Sequence, residues 1–304
     1  MTGHSSGLPP VLLLAFDRPR LVHRQINRLR EVAAPQLFIS VDGPRRHHPT
    51  DEANRRAVLS AIDEIDWPCE VQLQQFDENQ GLNAAVTGGI DWFFDHVEAG
   101  VILEDDCIPR SEFFAFASDL LTIYSHDESV MMISGLSMQQ RPDARNSYLA
   151  APVGHIWGWA TWARAWQRYD FELSGWPDRR VAIRRSGPLG RALARKFDAH
   201  AAGRKARWAR AWHHSLIAAD GIALIPSVNL VENQGFGPDA TNTAGRHAHP
   251  LRRPTDIALR FPLRHPSDLT IDPEYERLLA RYHARSLRDR TADRLAAMRR
   301  SFVR

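Results

Sequence analysis

The first half of the chain alternates short apolar runs with longer segments in which apolar residues recur every three or four positions. Short runs bounded by turn residues predict β-strands, and the longer periodic segments predict amphipathic helices. Regular alternation of the two predicts a mostly parallel, Rossmann-like sheet flanked by helices. The predicted strands are Val11–Phe16, Leu37–Val41, Val71–Phe76, Val101–Glu104 and Val130–Ser134.

Three helix starts can be read between these strands. Asp17 is predicted to cap the first helix, with Pro19 in its first turn, and Thr50 and Ser111 are predicted to open the second and third. A further helix, with a basic surface, is predicted from Tyr275 to Arg304. Loops at the carboxyl ends of parallel strands should carry the function, because ligands bind in that crevice.

The chain changes character after residue 140. Tryptophan accumulates there, and residues 179–210 hold eleven Arg or Lys against a single acid, Asp198. Large aromatic residues serve cores as readily as sugar-stacking surfaces, so both interpretations of the tryptophans stay open. The predicted division is residues 1–140, then 141–245 as the other half of the same domain, then a C-terminal extension, 246–304. Five of the tryptophans lie close together in the sequence: Trp157, Trp159, Trp162, Trp166 and Trp176.

Composition narrows the function only slightly. The formal net charge is +3, from 39 basic and 36 acidic residues, which does not indicate a nucleic-acid partner. Cys69 and Cys107 are the only cysteines, so neither a disulfide framework nor a thiolate metal site is expected. The apolar run at residues 11–16 is too short for a membrane span and lacks signal-peptide flanks. We therefore expect a cytoplasmic protein.

The most informative segment is Gly100–Pro109, in which a predicted buried strand ends in Glu104, Asp105 and Asp106. Three adjacent carboxylates repel one another unless a cation neutralises them. Hard oxygen ligands suit Mg²⁺ or Mn²⁺ shared with phosphate groups. The segment therefore predicts a cation site, although an acidic strand end that is merely solvated, or that caps the next helix, has the same pattern.

With this segment, the chain resembles the bacterial relatives of animal N-acetylglucosaminyltransferase I, which have the GT-A fold and an inverting mechanism. Glu104-Asp105-Asp106, followed by Pro109 and Phe113-Phe114, is similar to the acidic metal motif of that family. Two later segments, 155–162 and 229–237, are similar to further signatures of the bacterial members. The resemblance runs from about residue 10 to residue 243.

The resemblance implies roles for individual residues. Asp106 would bind the metal, Glu104 and Asp105 would position the ribose and sugar of the donor, and Arg18 would approach its phosphates. Asp42 falls where the family reads uracil, although on its own it could simply start a turn with Gly43 and Pro44. The segment that would close over the nucleotide contains Asn79, Gly81 and Asn83.

The implied activity is a metal-dependent inverting glycosyl transfer. The donor would be a UDP-sugar, carrying N-acetylglucosamine or another hexose, and the cofactor Mn²⁺ or Mg²⁺. In this interpretation residues 1–140 bind the donor, and residues 141–245 bind a glycan or lipid-linked acceptor. The basic C-terminal helix either packs on the domain or makes a peripheral contact with the inner face of the membrane.

The sequence departs from the family at the catalytic base. An inverting transfer needs a group that takes the proton of the acceptor hydroxyl. The family has an Asp beside a Trp at this point, whereas Ala209 occupies the position here. His213 is the first candidate base, because an imidazole accepts protons near neutral pH. His214 and Asp198 are the others.

Two other function classes share parts of this pattern. A nucleotidyltransferase would also use a Rossmann-like sheet and an acidic metal site, but no glycine-rich loop tipped with Arg or Lys follows the first strand. A dehydrogenase would need G-x-G-x-x-G, which is missing. A noncatalytic sugar-nucleotide or carbohydrate binding protein stays open as an alternative.

Overall fold

The computed structural model describes residues 7–235 and 256–284. Numbered in chain order, its strands are β1 (Val11–Ala15), β2 (Gln36–Val41), β3 (Glu70–Gln75), β4 (Ala99–Glu104), β5 (Cys107–Pro109), β6 (Val130–Ser134), β7 (Tyr148–Ala151), β8 (Trp159–Trp162), β9 (Ile222–Pro226) and β10 (Val231–Asn233). Its helices are α1 (Pro19–Glu31), α2 (Asp51–Ile62), α3 (Leu82–Phe94), α4 (Ser111–Ile123), α5 (Ala163–Trp166), α6 (Trp176–Arg185), α7 (Pro188–Ala201), α8 (Trp208–Ala218) and α9 (Pro273–Ala284).

One eight-stranded sheet organises the chain, in the order β3-β2-β1-β4-β8-β6-β9-β7. Four of its seven neighbouring pairs are parallel, namely β2–β3, β1–β2, β1–β4 and β6–β9. The other three, β4–β8, β6–β8 and β7–β9, are antiparallel. The predicted mostly parallel sheet flanked by helices is confirmed. A separate antiparallel pair joins β5 to β10.

The two halves of the sequence share this sheet. Strand β8 comes from the tryptophan-rich second half, yet it lies between β4 and β6 of the first half. Its four residues are all buried. The β4 strand, which leads into the acidic segment, is therefore flanked by β1 on one side and β8 on the other, and its position is fixed by backbone hydrogen bonds from both.

The second-half tryptophans pack in the core on one side of the sheet. Trp159 of β8 stacks on Trp208 and contacts Trp166 and Trp212, with ring centroids 5.6–6.3 Å apart. All four rings are at most 4% exposed. Burial of such rings is a major stabilising term, and close aromatic pairs add to it. Packing, rather than sugar stacking, is the role of these four residues.

The five predicted strands match β1, β2, β3, β4 and β6 within a few residues, but the sequence analysis missed helix α3. Gly88 and Gly89 lower the helical propensity of that segment. The structure gives a reason for Gly89: a Cβ there would lie 2.7 Å from the Leu14 side chain and 3.1 Å from the Cβ of Ser40. Glycine lets α3 lie directly against β1 and β2.

The predicted Asp17 cap is wrong. Helix α1 has Arg18 at its N-cap, with no hydrogen bond from a capping side chain. Asp17 instead accepts a hydrogen bond from the Arg45 guanidinium at 2.9 Å. The chain turns sharply after β1, so this carboxylate faces the loop that follows β2 rather than the amides of its own helix.

The C-terminal helix is described only as far as Ala284. Tyr275 and Leu279 of α9 are fully buried, so the described part packs on the domain, as one of the two predicted alternatives has it. The rest of the predicted basic helix, residues 285–304, lies outside the described residues, as do residues 236–255. Among the helices that are described, none has the length and apolar character that a bilayer crossing requires.

Candidate functional site

Parallel pairing brings three loops together at one edge of the sheet. Strands β1, β2 and β4 run in the same direction, so their carboxyl ends meet at that edge. The loops are tied to one another by the backbone: Asp42 N donates to Ala15 O at 3.0 Å, and Asp105 N donates to Leu14 O at 3.1 Å. The chemistry-bearing residues after each strand therefore form one site.

Arg18 joins the first loop to the acidic segment. Its Nη1 donates to Asp106 Oδ2 at 2.9 Å, and its Nε donates to Asp105 Oδ2 at 3.1 Å. Its remaining nitrogen, Nη2, forms an ion pair with Asp105 Oδ1. Bidentate contact of this kind fixes the guanidinium geometry. The structure thus brings Arg18, Asp105 and Asp106 into direct contact, and Glu104 lies next to them in the chain.

The cluster is electrostatically unbalanced. Three carboxyl groups share one guanidinium. Burial raises the pKa of the Glu104 carboxyl above its ordinary value, and the charges of Asp106 and Asp105 raise it further. Burial also raises the pKa of Asp105, against the opposing effect of Arg18. For Arg18, burial acts to lower the pKa, but the neighbouring carboxylates outweigh it and the pKa is raised.

Strand β10 supports the Asp106 side chain from the other side. Asn233 Nδ2 donates to Asp106 Oδ1 at 3.4 Å, and Gln234 N donates to Asp106 O at 2.7 Å. A Cβ at Gly235 would lie 2.1 Å from Asp106 Oδ2, so glycine is what allows the chain to pass so close. The sequence resemblance covers this segment, but its contact with the acidic motif is seen only in the structure.

Gln25 is a second residue that the sequence analysis missed. It lies on α1, is fully buried, and donates through Nε2 to Glu104 O at 3.0 Å and to Cys107 O at 2.6 Å. It therefore holds the backbone on both sides of the acidic residues. A signal was available: Gln25 is a polar position within the apolar stripe of Val22, Ile26 and Leu29, and buried polar groups are hydrogen-bonded.

Asp42 organises the loop between β3 and α3. Its Oδ1 accepts hydrogen bonds from Gly43 N at 2.8 Å and Gln80 N at 2.9 Å, and its Oδ2 accepts one from Asn79 Nδ2 at 2.8 Å. Burial raises the pKa of Asp42, while the backbone N–H groups of Gln80, Gly43 and Gly81 act to lower it. The structure brings Asp42, Asn79 and Gly81 together.

Gly81 and Asn83 connect that loop to the second half of the chain. Gly81 stands at the N-cap of α3 with φ of +77°, a conformation that favours glycine. Asn83, in the first turn of α3, accepts from Trp208 N at 3.0 Å and donates to Ala206 O at 3.3 Å. The start of α8 is thereby fixed to the start of α3, and Ala209 lies in this first turn of α8.

The three candidate bases lie on helices α7 and α8 of the second half. His213 Nε2 donates to the carbonyl of Gly154 at 2.9 Å, which leaves Nδ1 as the nitrogen with a lone pair. His214 is 1% exposed and packs against Trp176 and Phe197. Asp198 accepts from Arg180 at 2.6 Å and from Trp176 at 3.2 Å. Their described contacts do not include the acidic cluster.

The acidic cluster fits a hard divalent cation. Glu104 Oε1 is buried and has no hydrogen-bond partner among the described residues, and the local negative charge exceeds the one positive charge. The described residues contain no group of three or more His, Cys, Asp or Glu side chains that could hold a metal by themselves. Mg²⁺ commonly uses one or two carboxylates, with waters and substrate phosphates as its other ligands, and the acidic segment could supply the carboxylates.

No family model matches the chain, and no curated protein matches it. Solved structures similar to it include HddC from Yersinia pseudotuberculosis, at 11% identity and a TM-score of 0.33, covering 52% of this chain and 78% of that one. A UDP-glucose pyrophosphorylase complexed with UDP-glucose has 9% identity and a TM-score of 0.35, with 71% and 89% covered. An apo UDP-glucose pyrophosphorylase has 7% identity and a TM-score of 0.37, with 74% and 93% covered.

The half-buried His213 predicts acid sensitivity. Burial, together with the charge of Lys196, lowers its pKa from 6.5 to about 4. Between those values the unfolded chain binds a proton that the native His213 does not, so stability is lost as the pH falls from about 6.5 to about 4. We expect His213→Gln to lose roughly 1–3 kcal/mol less than the wild type over this window.

Urea unfolding at both pH values measures this difference. His126→Gln, which replaces an exposed histidine, is the control and should lose as much stability as the wild type. Equal losses in the wild type and His213→Gln would show that His213 does not set the acid sensitivity.

Proposed function

We propose that the protein is a metal-dependent glycosyltransferase of the GT-A type, which inverts the anomeric centre of a sugar delivered by a UDP-sugar. The observation that supports this most directly is the partly buried carboxyl cluster at the end of β4, with Arg18 as its only described ion-pair partner. N-acetylglucosamine is the first-choice sugar, and other hexoses are next. The acceptor would be a cell-surface glycan or a lipid-linked precursor.

The acidic segment would hold the diphosphate end of the donor. Asp106 is the proposed metal ligand, and the Mn²⁺ or Mg²⁺ bound there supplies charge neutralisation for the departing diphosphate. Glu104 and Asp105 would position the ribose and the sugar. Arg18 contacts both Asp105 and Asp106, so its guanidinium is within reach of phosphates bound beside them. Asn233 and Gln25 would keep the acidic segment in place.

The Asp42 loop would receive the uracil base. Asp42 and Asn79 hold this loop against the end of β2, one strand beyond β1 from the acidic cluster. The cluster and the loop thus lie at the same edge of the sheet, as the diphosphate and base ends of one nucleotide would require. Gly81 and Asn83, which begin α3, would close over the nucleotide.

His213 is the proposed general base. In the transfer, the bond between the anomeric carbon and the diphosphate oxygen breaks, and the acceptor oxygen bonds to the opposite face of that carbon. The acceptor proton would pass to His213 Nδ1, since Nε2 is engaged with Gly154. Asp198 is neutralised by Arg180, and aromatic rings enclose His214, so both are second choices.

Asp106→Asn should remove metal-dependent donor binding. The amide keeps the shape of the side chain but loses the charge that the cation needs. We expect UDP affinity in Mn²⁺ to fall about thirtyfold or more, because truncating one partner of a buried charge pair costs about 2 kcal/mol or more. Isothermal titration of UDP with Mn²⁺, and again with EDTA, measures it.

Glu112→Gln is the matched control for that experiment. Glu112 is also an acid beside an arginine, Arg110, but it lies after β5 and outside the cluster. It should bind UDP as the wild type does. Full UDP affinity of the wild type in EDTA would contradict the metal site, and formation of UTP from a UDP-sugar and pyrophosphate would favour a nucleotidyltransferase.

The donor is expected to carry uridine. A ligand that binds only the native state raises the melting temperature by mass action. We therefore expect UDP and UDP-N-acetylglucosamine, with Mn²⁺, to stabilise the protein more than GDP or CMP. Thermal unfolding with each nucleotide at equal concentration tests this. Stabilisation by GDP or CMP without stabilisation by UDP would overturn the uridine assignment.

His213→Ala should separate transfer from binding. General-base catalysis contributes about 10²–10⁴-fold to a rate, so slow hydrolysis of the UDP-sugar, followed by mass spectrometry, should fall by about that factor. UDP affinity should stay near the wild-type value, and His126→Ala should alter neither. An unchanged hydrolysis rate would move the search to His214 and Asp198.

A further inference from the structure

Helices α6 and α7, with the connection to α8, carry a concentrated positive surface. Residues 179–210 contain eleven Arg or Lys and one acid, Asp198. That acid is already paired with Arg180. Eight exposed basic residues form no ion pair with any described residue, and we call them the basic surface: Arg179, Arg184, Arg185, Arg191, Arg195, Arg204, Lys205 and Arg207.

Helix α6 contributes little to the core. Of its ten residues only Trp176 and Ile183 are buried. Four of the others are arginines, and Val181 lies among them with 55% of its surface exposed. The exposed side of α6 thus offers arginines and Val181, with Asp178 as its one acid, so its net charge is positive.

The aromatic residues of this region favour a membrane over a polymeric partner. Proteins that bind polysaccharides or single-stranded nucleic acids use exposed rings as stacking platforms. Within residues 176–210 the aromatic residues are Trp176, Phe197 and Trp208, and each is at most 3% exposed. What the surface offers is guanidinium groups, which match phosphate geometry, spread over two helices and a connection.

The basic surface is continuous with the candidate site. Arg204, Lys205 and Arg207 lie in the connection between α7 and α8, and the neighbouring Ala206 and Trp208 are hydrogen-bonded to Asn83 at the start of α3. A flat anionic partner on the basic surface would thus lie next to Asn83 and the start of α3, at the candidate site.

We propose that the basic surface docks on an anionic phospholipid bilayer, with Val181 entering the interface, and that docking presents the site to a membrane-held acceptor. The presentation of the site to an acceptor rests on the proposed function, whereas the docking itself does not. This contact is distinct from the predicted contact through the C-terminal basic helix.

Vesicle flotation tests the docking. The wild type should float with vesicles that contain phosphatidylglycerol and should dissociate from them as salt is added. It should not float with vesicles of phosphatidylcholine alone. In the variant R179Q/R184Q/R185Q the partition coefficient should fall about 100-fold or more, because each basic residue near an anionic surface contributes about a factor of five. The control R24Q/R56Q/R145Q removes three other exposed arginines and should bind nearly as the wild type does.

Val181→Ser separates a membrane from a soluble polyanion. The variant keeps every charge but loses apolar burial, so binding to phosphatidylglycerol vesicles should fall about tenfold, whereas binding to dextran sulfate should not change. Equal losses in the two triple variants would overturn the proposal. The proposal would also be overturned if the basic-surface variant R179Q/R184Q/R185Q no longer bound dextran sulfate but still bound the vesicles. That result would favour a polymer as the partner.

The same preparations distinguish failure of the docking from failure of the proposed function. UDP binding in Mn²⁺, measured without vesicles, should be equal in the wild type and all three variants, because none of the replaced residues belongs to the acidic cluster. Vesicle binding without any UDP binding would reject the glycosyltransferase and leave the docking intact. UDP binding without vesicle binding would reject the docking and leave the proposed function intact.

Discussion

Three carboxyl groups at the end of one buried strand share a single guanidinium, and much of the site is arranged around that imbalance. Strand β4 delivers Glu104, Asp105 and Asp106 to the edge of the sheet, and Arg18 reaches them from the end of β1. Like charges at this separation destabilise one another, and burial increases the cost. The segment persists because its backbone is held from several directions: Gln25 from α1, strand β10 from the far side, and the β1 and β8 ladders along β4.

The same imbalance gives the site its proposed chemistry. A protein with no use for a cation would do better with a neutral side chain at one of these positions, since removing a crowded carboxylate relieves repulsion. Arg18 relieves part of it and also brings positive charge to the place where a diphosphate would lie. Asp42, one strand beyond β1, orders the loop before α3 by accepting three hydrogen bonds. Asn83 then accepts a hydrogen bond from Trp208 N, which connects the start of α3 to α8 and to the neighbouring basic surface.

The sequence predicted the parts of the fold in which local pattern and tertiary position agree. Four of the five early strands, β1, β2, β4 and β6, are mostly apolar, and strands buried on both faces of a sheet have that pattern. Strand β3 lies at the edge of the sheet, and its apolar and polar residues alternate, with none of them buried. It also placed Arg18, Asp42 and the acidic residues at strand ends, and the parallel register then brought them to one edge. Helix α3 was missed because Gly88 and Gly89 argue locally against a helix, whereas the structure explains Gly89 by the close approach of α3 to β1 and β2. The insertion of β8 between β4 and β6 is a long-range pairing that no local pattern reveals. Asn233 was missed for the same reason, since its partner Asp106 is 127 positions away in the chain.

In the proposed function, Asp106 and the phosphates of a nucleotide share one cation. The most direct test is anomalous diffraction from crystals soaked with Mn²⁺, with and without UDP. We expect a manganese peak coordinated by Asp106 and by diphosphate oxygens when UDP is present. UDP bound at the ends of β1 and β2 with no manganese at Asp106, or manganese bound at a place remote from the acidic cluster, would contradict it.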